Sequence, residues 1–344
     1  MIKEALQVEK NKTSLQKSLF YILRLLGCIF LLFLVFRRYN STEIFAQMKD
    51  IKIHLLLMAW ALNYVSIFIS SAKWKSILRS YGQNAPLLHL WALYIEGQFF
   101  NLIFPGFIAG DVSRITRISK NGGVSLNAVM SVFLERFSGL LILGMFIGMV
   151  ALFGGYQDLD PWWQNFILLL FLLNIVLLGV GLNLKSFRSF LKFVPGLIRK
   201  RIVPLFEKII NASYVLKEHK NLIWSLPILS LLFISMSGPV AYFASRAVDV
   251  EIPLSVLMIY APLIAFLSNL PLSISGVGVR ENLAVLFYSA LGFQPEEIIA
   301  YALAQSAVLL LVNVSGGLIL LLRTSRISLL VQTTMRNKHK EKVV

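Results

Sequence analysis

The sequence predicts an all-α integral membrane protein with about six full transmembrane helices plus two interrupted or re-entrant hairpins, about eight apolar segments in all. Three observations predict it. Of the 344 residues, 57% are hydrophobic and 15% charged, and the mean hydropathy is +0.73. Soluble domains run nearer half apolar and a quarter charged. Several apolar runs reach the ~20 residues that a helix needs to cross a hydrocarbon core about 30 Å thick. Lysine and arginine crowd into particular polar segments between those runs, as in cytoplasmic loops. The 33 basic and 17 acidic residues give a net charge of +16, but basic residues set between long Leu/Phe/Ile runs are not those of a nucleic-acid binder. The one cysteine, Cys28, excludes an internal disulfide and a cysteine metal cluster. His54, His89, His219 and His339 show no ligand spacing. No metal and no cofactor is expected.

The full-length runs are 18–36, 53–71, 125–153, 163–183, 222–246 and 298–322. The first follows Lys10, Lys12 and Lys17 but is too long for a secretory h-region and is followed by Arg37 and Arg38. It is expected to be a retained helix after a cytoplasmic N-terminus, 1–17. The basic loop 184–221 and the basic tail 323–344 are expected on the cytoplasmic side. The loop 154–162, with Asp158 and Asp160, is expected outside, as is the turn at Asp249 and Glu251. Arg37, Arg38, Lys49 and Lys52 then fall in an outer loop, against the charge rule.

Two further runs are interrupted. The first, 87–109, ends in NLIFPGFIAGD; the second, 253–291, is broken by NLPLSISGVGVREN. Counting sides makes the first begin and end inside and the second begin and end outside. Pro86, Tyr94, Asn101 and Arg114 recur as Pro253, Tyr260, Asn269 and Arg280, at offsets of 166 to 168 residues. Each stretch leads through a glycine turn (Gly122-Gly123, Gly292) into a long apolar helix. One membrane domain, 18–322, is therefore expected to hold two inverted repeats, about 53–153 and 222–322. Transporters place discontinuous helices near the bilayer midplane in this way.

The breaks supply the candidate site. Pro105 and Pro271 interrupt helices, while Gly106, Gly110, Gly276 and Gly278 permit close backbone approach. Non-helical backbone at membrane depth needs protein or water to satisfy it, and free N–H groups attract anions. Arg114 and Arg280 follow the breaks, and a guanidinium holds phosphate through two parallel hydrogen bonds. Asp111 and Glu281 are their local partners. Glu135-Arg136 sits about ten residues into 125–153, where an isolated charge is costly, so that adjacent pair is expected either to neutralise itself in part and brace or gate the site, or to form structural ion pairs between helices. Glu96 is a candidate for a coupling proton. Asn101 and Asn269 are placed to cap or brace the broken helices beside the substrate. Asp158-Leu159-Asp160 matches the metal-binding DxD pattern only over three residues, and GVGVRE lacks the last glycine of a dinucleotide fingerprint.

NLIFPGFIAGDVSRI, LERFSGLL and NLPLSISGVGVRENLAVLF resemble, in that order, the signatures of the flippase-like membrane family related to the transmembrane region of lysylphosphatidylglycerol synthases. The resemblance covers roughly 20–322, with Ala109 where a second glycine is common. It implies movement of lipids between leaflets, or lipid modification where a catalytic domain is attached. No segment here is long enough for an aminoacyl-transferring domain. The expectation is a flippase for a phosphate-bearing lipid in the cell membrane of a bacterium or archaeon, both termini cytoplasmic, with no nucleic-acid partner. The alternatives are a membrane-embedded enzyme acting on a polyprenyl or phospholipid phosphate through Asp111 or Asp158, and a subunit that positions a partner transferase.

Overall fold

Apolar surroundings force each backbone N–H and C=O to be satisfied within its own segment, and the apolar runs do so as helices. The computed structural model describes residues 26, 29–103, 108–119, 125–182, 219–268 and 276–341. The helices are α1 (29–38), α2 (Ser41–Gln47), α3 (Ile53–Ser80), α4 (Leu87–Ile103), α5 (Ile108–Ile118) and α6 (Leu126–Leu152), followed by α7 (Pro161–Leu182), α8 (Lys220–Ser235), α9 (Ser237–Ala247), α10 (Leu254–Ser268), α11 (Val279–Ser289) and α12 (Pro295–Glu341). No strand occurs among the described residues. The chain is an all-α, multi-pass membrane protein.

Among the described residues, five stretches are long and apolar enough to cross a membrane: Ile53–Ser80, Leu126–Leu152, Pro161–Leu178, Lys220–Ala247 and Pro295–Arg323. They coincide with five of the predicted full runs. Lys220–Ala247 combines α8 and α9, joined through Met236. Most of the sixth run, 18–36, lies outside the described residues, as do most of the basic loop 184–221 and Pro105, Gly106, Gly122, Gly123, Asn269 and Pro271.

The helix ends show how the bundle is strung. Gly82, at φ +71°, follows α3; its N–H reaches the Arg79 carbonyl (3.0 Å) and that of Gln83 reaches Leu78 (2.9 Å). This left-handed cap satisfies carbonyls that the helix end would otherwise leave open. Beyond it Gln83 Nε2 donates to Ser125 Oγ (3.3 Å), and Asn127 Nδ2 donates to the Tyr81 carbonyl (3.4 Å). Leu222 and Leu226 pack with Ile77 and Leu134 at the same end, here termed the lower end. At the upper end Lys52 pairs with Asp249, and its N–H donates to the Ala247 carbonyl (2.8 Å). Gln47 Nε2 donates to the Val248 carbonyl (3.0 Å), and Asn40 N–H reaches Glu296 Oε1 (3.5 Å). Lys52, which broke the charge rule, thus shares an end with an acid that neutralises it. Exposed tryptophans mark both ends, Trp162 at the start of α7 and Trp224 near the start of α8, where amphipathic rings favour the interface.

The two interrupted runs are helical hairpins. Neither α4 (17 residues) nor α5 (11 residues) has the length to span; at 1.5 Å per residue they are about 26 and 17 Å long. α10 (15 residues) and α11 (11 residues) are alike. The α4–α5 hairpin opens at the lower end and the α10–α11 hairpin at the upper end, because their flanking residues lie there. Packing recurs with the same order. α3 against α4, α4 against α5, α5 against α6 and α3 against α6 are matched by α9 against α10, α10 against α11, α11 against α12 and α9 against α12. Between the groups, α4 against α12 is matched by α10 against α6, while α3 lies along α8 and α9. At the α4–α12 contact Gly316 and Gly317 bring the α12 backbone onto Ile95 and Phe99, the close approach that small residues allow in membranes.

Candidate functional site

Arg114 sits on the second helix of the lower hairpin and is 1% exposed. Asp111 and Arg114 are three apart on α5 and so share a face; they form an ion pair. Arg114 Nη1 also donates to Glu135 Oε2 on α6 (3.1 Å). The other oxygen, Glu135 Oε1, accepts from Tyr94 OH on α4 (2.9 Å). The guanidinium lies over the Tyr94 ring at 3.9 Å and the Trp74 ring at 5.0 Å, an arrangement suited to a desolvated cation. Trp74 is held by its own indole N–H, which donates to Ser131 Oγ (3.1 Å).

Of the two readings of Glu135 and Arg136, mutual neutralisation is corrected here and ion pairing between helices is what the structure shows. Neighbours on a helix point about 100° apart. Glu135 turns to Arg114, while Arg136 turns to Asp111, donating from Nε to Oδ2 (3.1 Å) and from Nη2 to Oδ1 (2.8 Å). The result is a crossed network of two acids and two arginines from α5 and α6. Arg136, with 45% of its side chain exposed, forms its open rim.

A fifth charge joins it. Lys73 of α3 is 4% exposed, and Nζ donates to the Glu135 carbonyl at 2.8 Å. A side chain at Gly139 would come within 3.1 Å of Nζ, so that glycine makes room for the ammonium. In the sequence Lys73 reads as the end of a span, one of three basic residues with Lys75 and Arg79. The signal for its burial was the length of α3, which continues to Ser80 and leaves Lys73 about 10 Å short of the end.

Gly110 belongs to the first turn of α5 rather than to the break. Its N–H donates to Asn101 Oδ1 (2.7 Å), so Asn101 braces α4 against α5. The two helices meet at Gly97 and Gly110, where a Cβ at 110 would strike the Gly97 carbonyl and the Asn101 amide.

In the upper hairpin, Arg280 is the second residue of α11 and is 7% exposed. Its Nη1 donates to Ser306 Oγ of α12 (2.9 Å), and that hydroxyl donates to Glu281 Oε1 (2.6 Å). Glu281 Oε2 accepts the Gly278 N–H (2.6 Å), capping α11. Gly276 and Gly278 carry φ of +79° and +84° in the turn before the helix. Asn269, the third repeat position, lies outside the described residues.

Glu96 stands apart from both clusters. Fully buried, it pairs with Arg323 of α12 (3.1 Å) and Arg117 of α5 (3.7 Å). Arg323 Nη2 also meets His89 Nδ1 (3.3 Å). Three helices are tied through that carboxylate.

Among the described residues no group of His, Cys, Asp and Glu is placed to hold a metal ion. A comparison with curated proteins finds no match. Residues 21–317 match the family model described as the lysylphosphatidylglycerol synthase TM region, and the chain belongs to that family.

Proposed function

We propose that this chain is a flippase, moving a phosphate-bearing lipid between the leaflets of the cell membrane. One observation carries the reading: two half-length hairpins open at opposite ends of the bundle, and each buries an arginine against the long helix that follows, Arg114 on α6 and Arg280 on α12. An intramembrane charge is expensive and is kept where a charged ligand passes. Opposed hairpins supply one such group to each side, as alternating access requires. The repeated packing order supports a repeat with halves near 53–153 and 222–322, and membership of the family supports work on lipids. Gly110, Gly276, Gly278 and Asn101 would shape the two hairpins; Asp111, Glu135, Arg136 and Glu281 would set the charge that the headgroup meets.

The enzymatic alternative through Asp111 needs that residue as a free acid or base, and its two oxygens are held by Arg114 and Arg136; the route through Asp158 would place the chemistry on an exposed turn, outside both buried arginine clusters. A coupling role for Glu96 would require its release from Arg323 and Arg117. Reconstitution in liposomes with a fluorescent phospholipid tests the reading. Arg280→Ala and Arg114→Ala are expected to abolish translocation while the proteins still insert and elute as folded particles. Wild-type rates in Arg280→Ala would overturn it.

A further inference from the structure

The charges around Arg114 do not balance. Asp111 and Glu135 contribute two negative charges, while Lys73, Arg114 and Arg136 contribute three positive ones. The four α5 and α6 residues neutralise one another in crossed pairs, so the excess is Lys73. No carboxylate lies within 4.0 Å of its Nζ among the described residues; the partner is a backbone carbonyl. One bond of three possible donors is thereby accounted for. A buried ammonium without a counter-charge is costly, and the cost falls when an anion is supplied.

We infer that Lys73 is a ligand-binding residue, and that the ligand is a lipid headgroup with one net negative charge, such as a phosphodiester. This rests on the flippase reading and deepens it by naming the charge class. One negative charge brings the cluster to neutrality. A zwitterionic headgroup leaves Lys73 uncompensated, and a phosphomonoester, with close to two charges at neutral pH, overshoots. Lys73 and half-exposed Arg136 flank the Glu135 turn, one inside and one at the rim, so the headgroup is held between an inner ammonium and an outer guanidinium.

Lipid binding to the full-length protein in detergent, measured by native mass spectrometry, tests this with four probes: phosphatidylglycerol, phosphatidylcholine, phosphatidic acid and inorganic phosphate. Wild type should bind phosphatidylglycerol about tenfold more tightly than phosphatidylcholine, the scale of one charge-assisted hydrogen bond, and more tightly than phosphatidic acid. Lys73→Met should erase the difference between phosphatidylglycerol and phosphatidylcholine, and Lys73→Arg should keep most of it. Because methionine removes an uncompensated charge, the lipid-free Lys73→Met protein should have a Tm equal to or above that of wild type; a purely structural lysine would give a lower one. Equal binding of all three lipids to wild type, or an undiminished preference in Lys73→Met, overturns the assignment. Competition by inorganic phosphate at concentrations comparable to the lipid overturns the headgroup as its source. The binding preference is read without transport: its loss in Lys73→Met with no translocation by any variant would leave the binding site standing and remove the flippase reading instead.

Discussion

The lower and upper hairpins are built alike and charged differently. Each has two short helices, an arginine on the second of them, and a contact from that arginine to the next long helix. In the lower hairpin the contact is a carboxylate, Glu135, inside a network of five ionised groups. In the upper hairpin it is a hydroxyl, Ser306, which passes Arg280 on to the neighbouring Glu281. The lower site therefore joins α3, α5 and α6 through charged groups, whereas at the upper site a hydroxyl relays the contact from α11 to α12. Backbone placement can be repeated by a fold while the electrostatics at the repeated place diverge.

The sharpest way to break the comparison is Glu135→Gln. It strands Arg114 between Tyr94 and Trp74 with Asp111 as its one remaining acid, and is expected to cost about 3–5 kcal/mol, the scale for halving a buried ion pair. Unfolding of the purified protein in detergent measures it, and Arg114→Leu/Glu135→Leu should regain most of the loss. Gly110→Ala comes next, at about 2–3 kcal/mol, because the added methyl meets the Gly97 carbonyl, and a backbone atom cannot swing aside. Ser306→Ala should cost less, about 1–2 kcal/mol, since Arg280 and Glu281 remain adjacent when the bridging hydroxyl is gone. An equal or larger loss for Ser306→Ala than for Glu135→Gln would reverse the ranking of the two hairpins. Lys52→Ala, which breaks the pair with Asp249 between half-exposed side chains, should change stability by less than about 1 kcal/mol.

The spans were legible because hydrocarbon imposes one long apolar run per crossing. The breaks were legible as well, through Pro, Gly and Asn in NLIFPGFIAGD and NLPLSISGVGVREN. Arg114, Asp111, Glu135 and Arg136 could be singled out as charges at apolar depth, yet their pairing could not. Glu135 and Arg136 look like partners when written side by side, and the helical rotation between them sends each to another helix. Glu96 reads as a candidate for a coupling proton because its cations, Arg117 and Arg323, are far from it in the chain. Lys73 reads as the end of a span because a basic residue after an apolar run ordinarily marks one.

By itself the sequence determined the environment of this protein, its long apolar spans, the two interruptions and the residue types gathered there. Those follow from the cost of placing polar backbone and charge in lipid, which each segment bears alone. The tertiary structure decided the opposite openings of the hairpins, the crossed pairs, the glycine contacts that seat α4 against α5 and α12, and the burial of Lys73. These depend on which helix faces which, and an ion pair between segments is made only when both have been brought within about 4 Å.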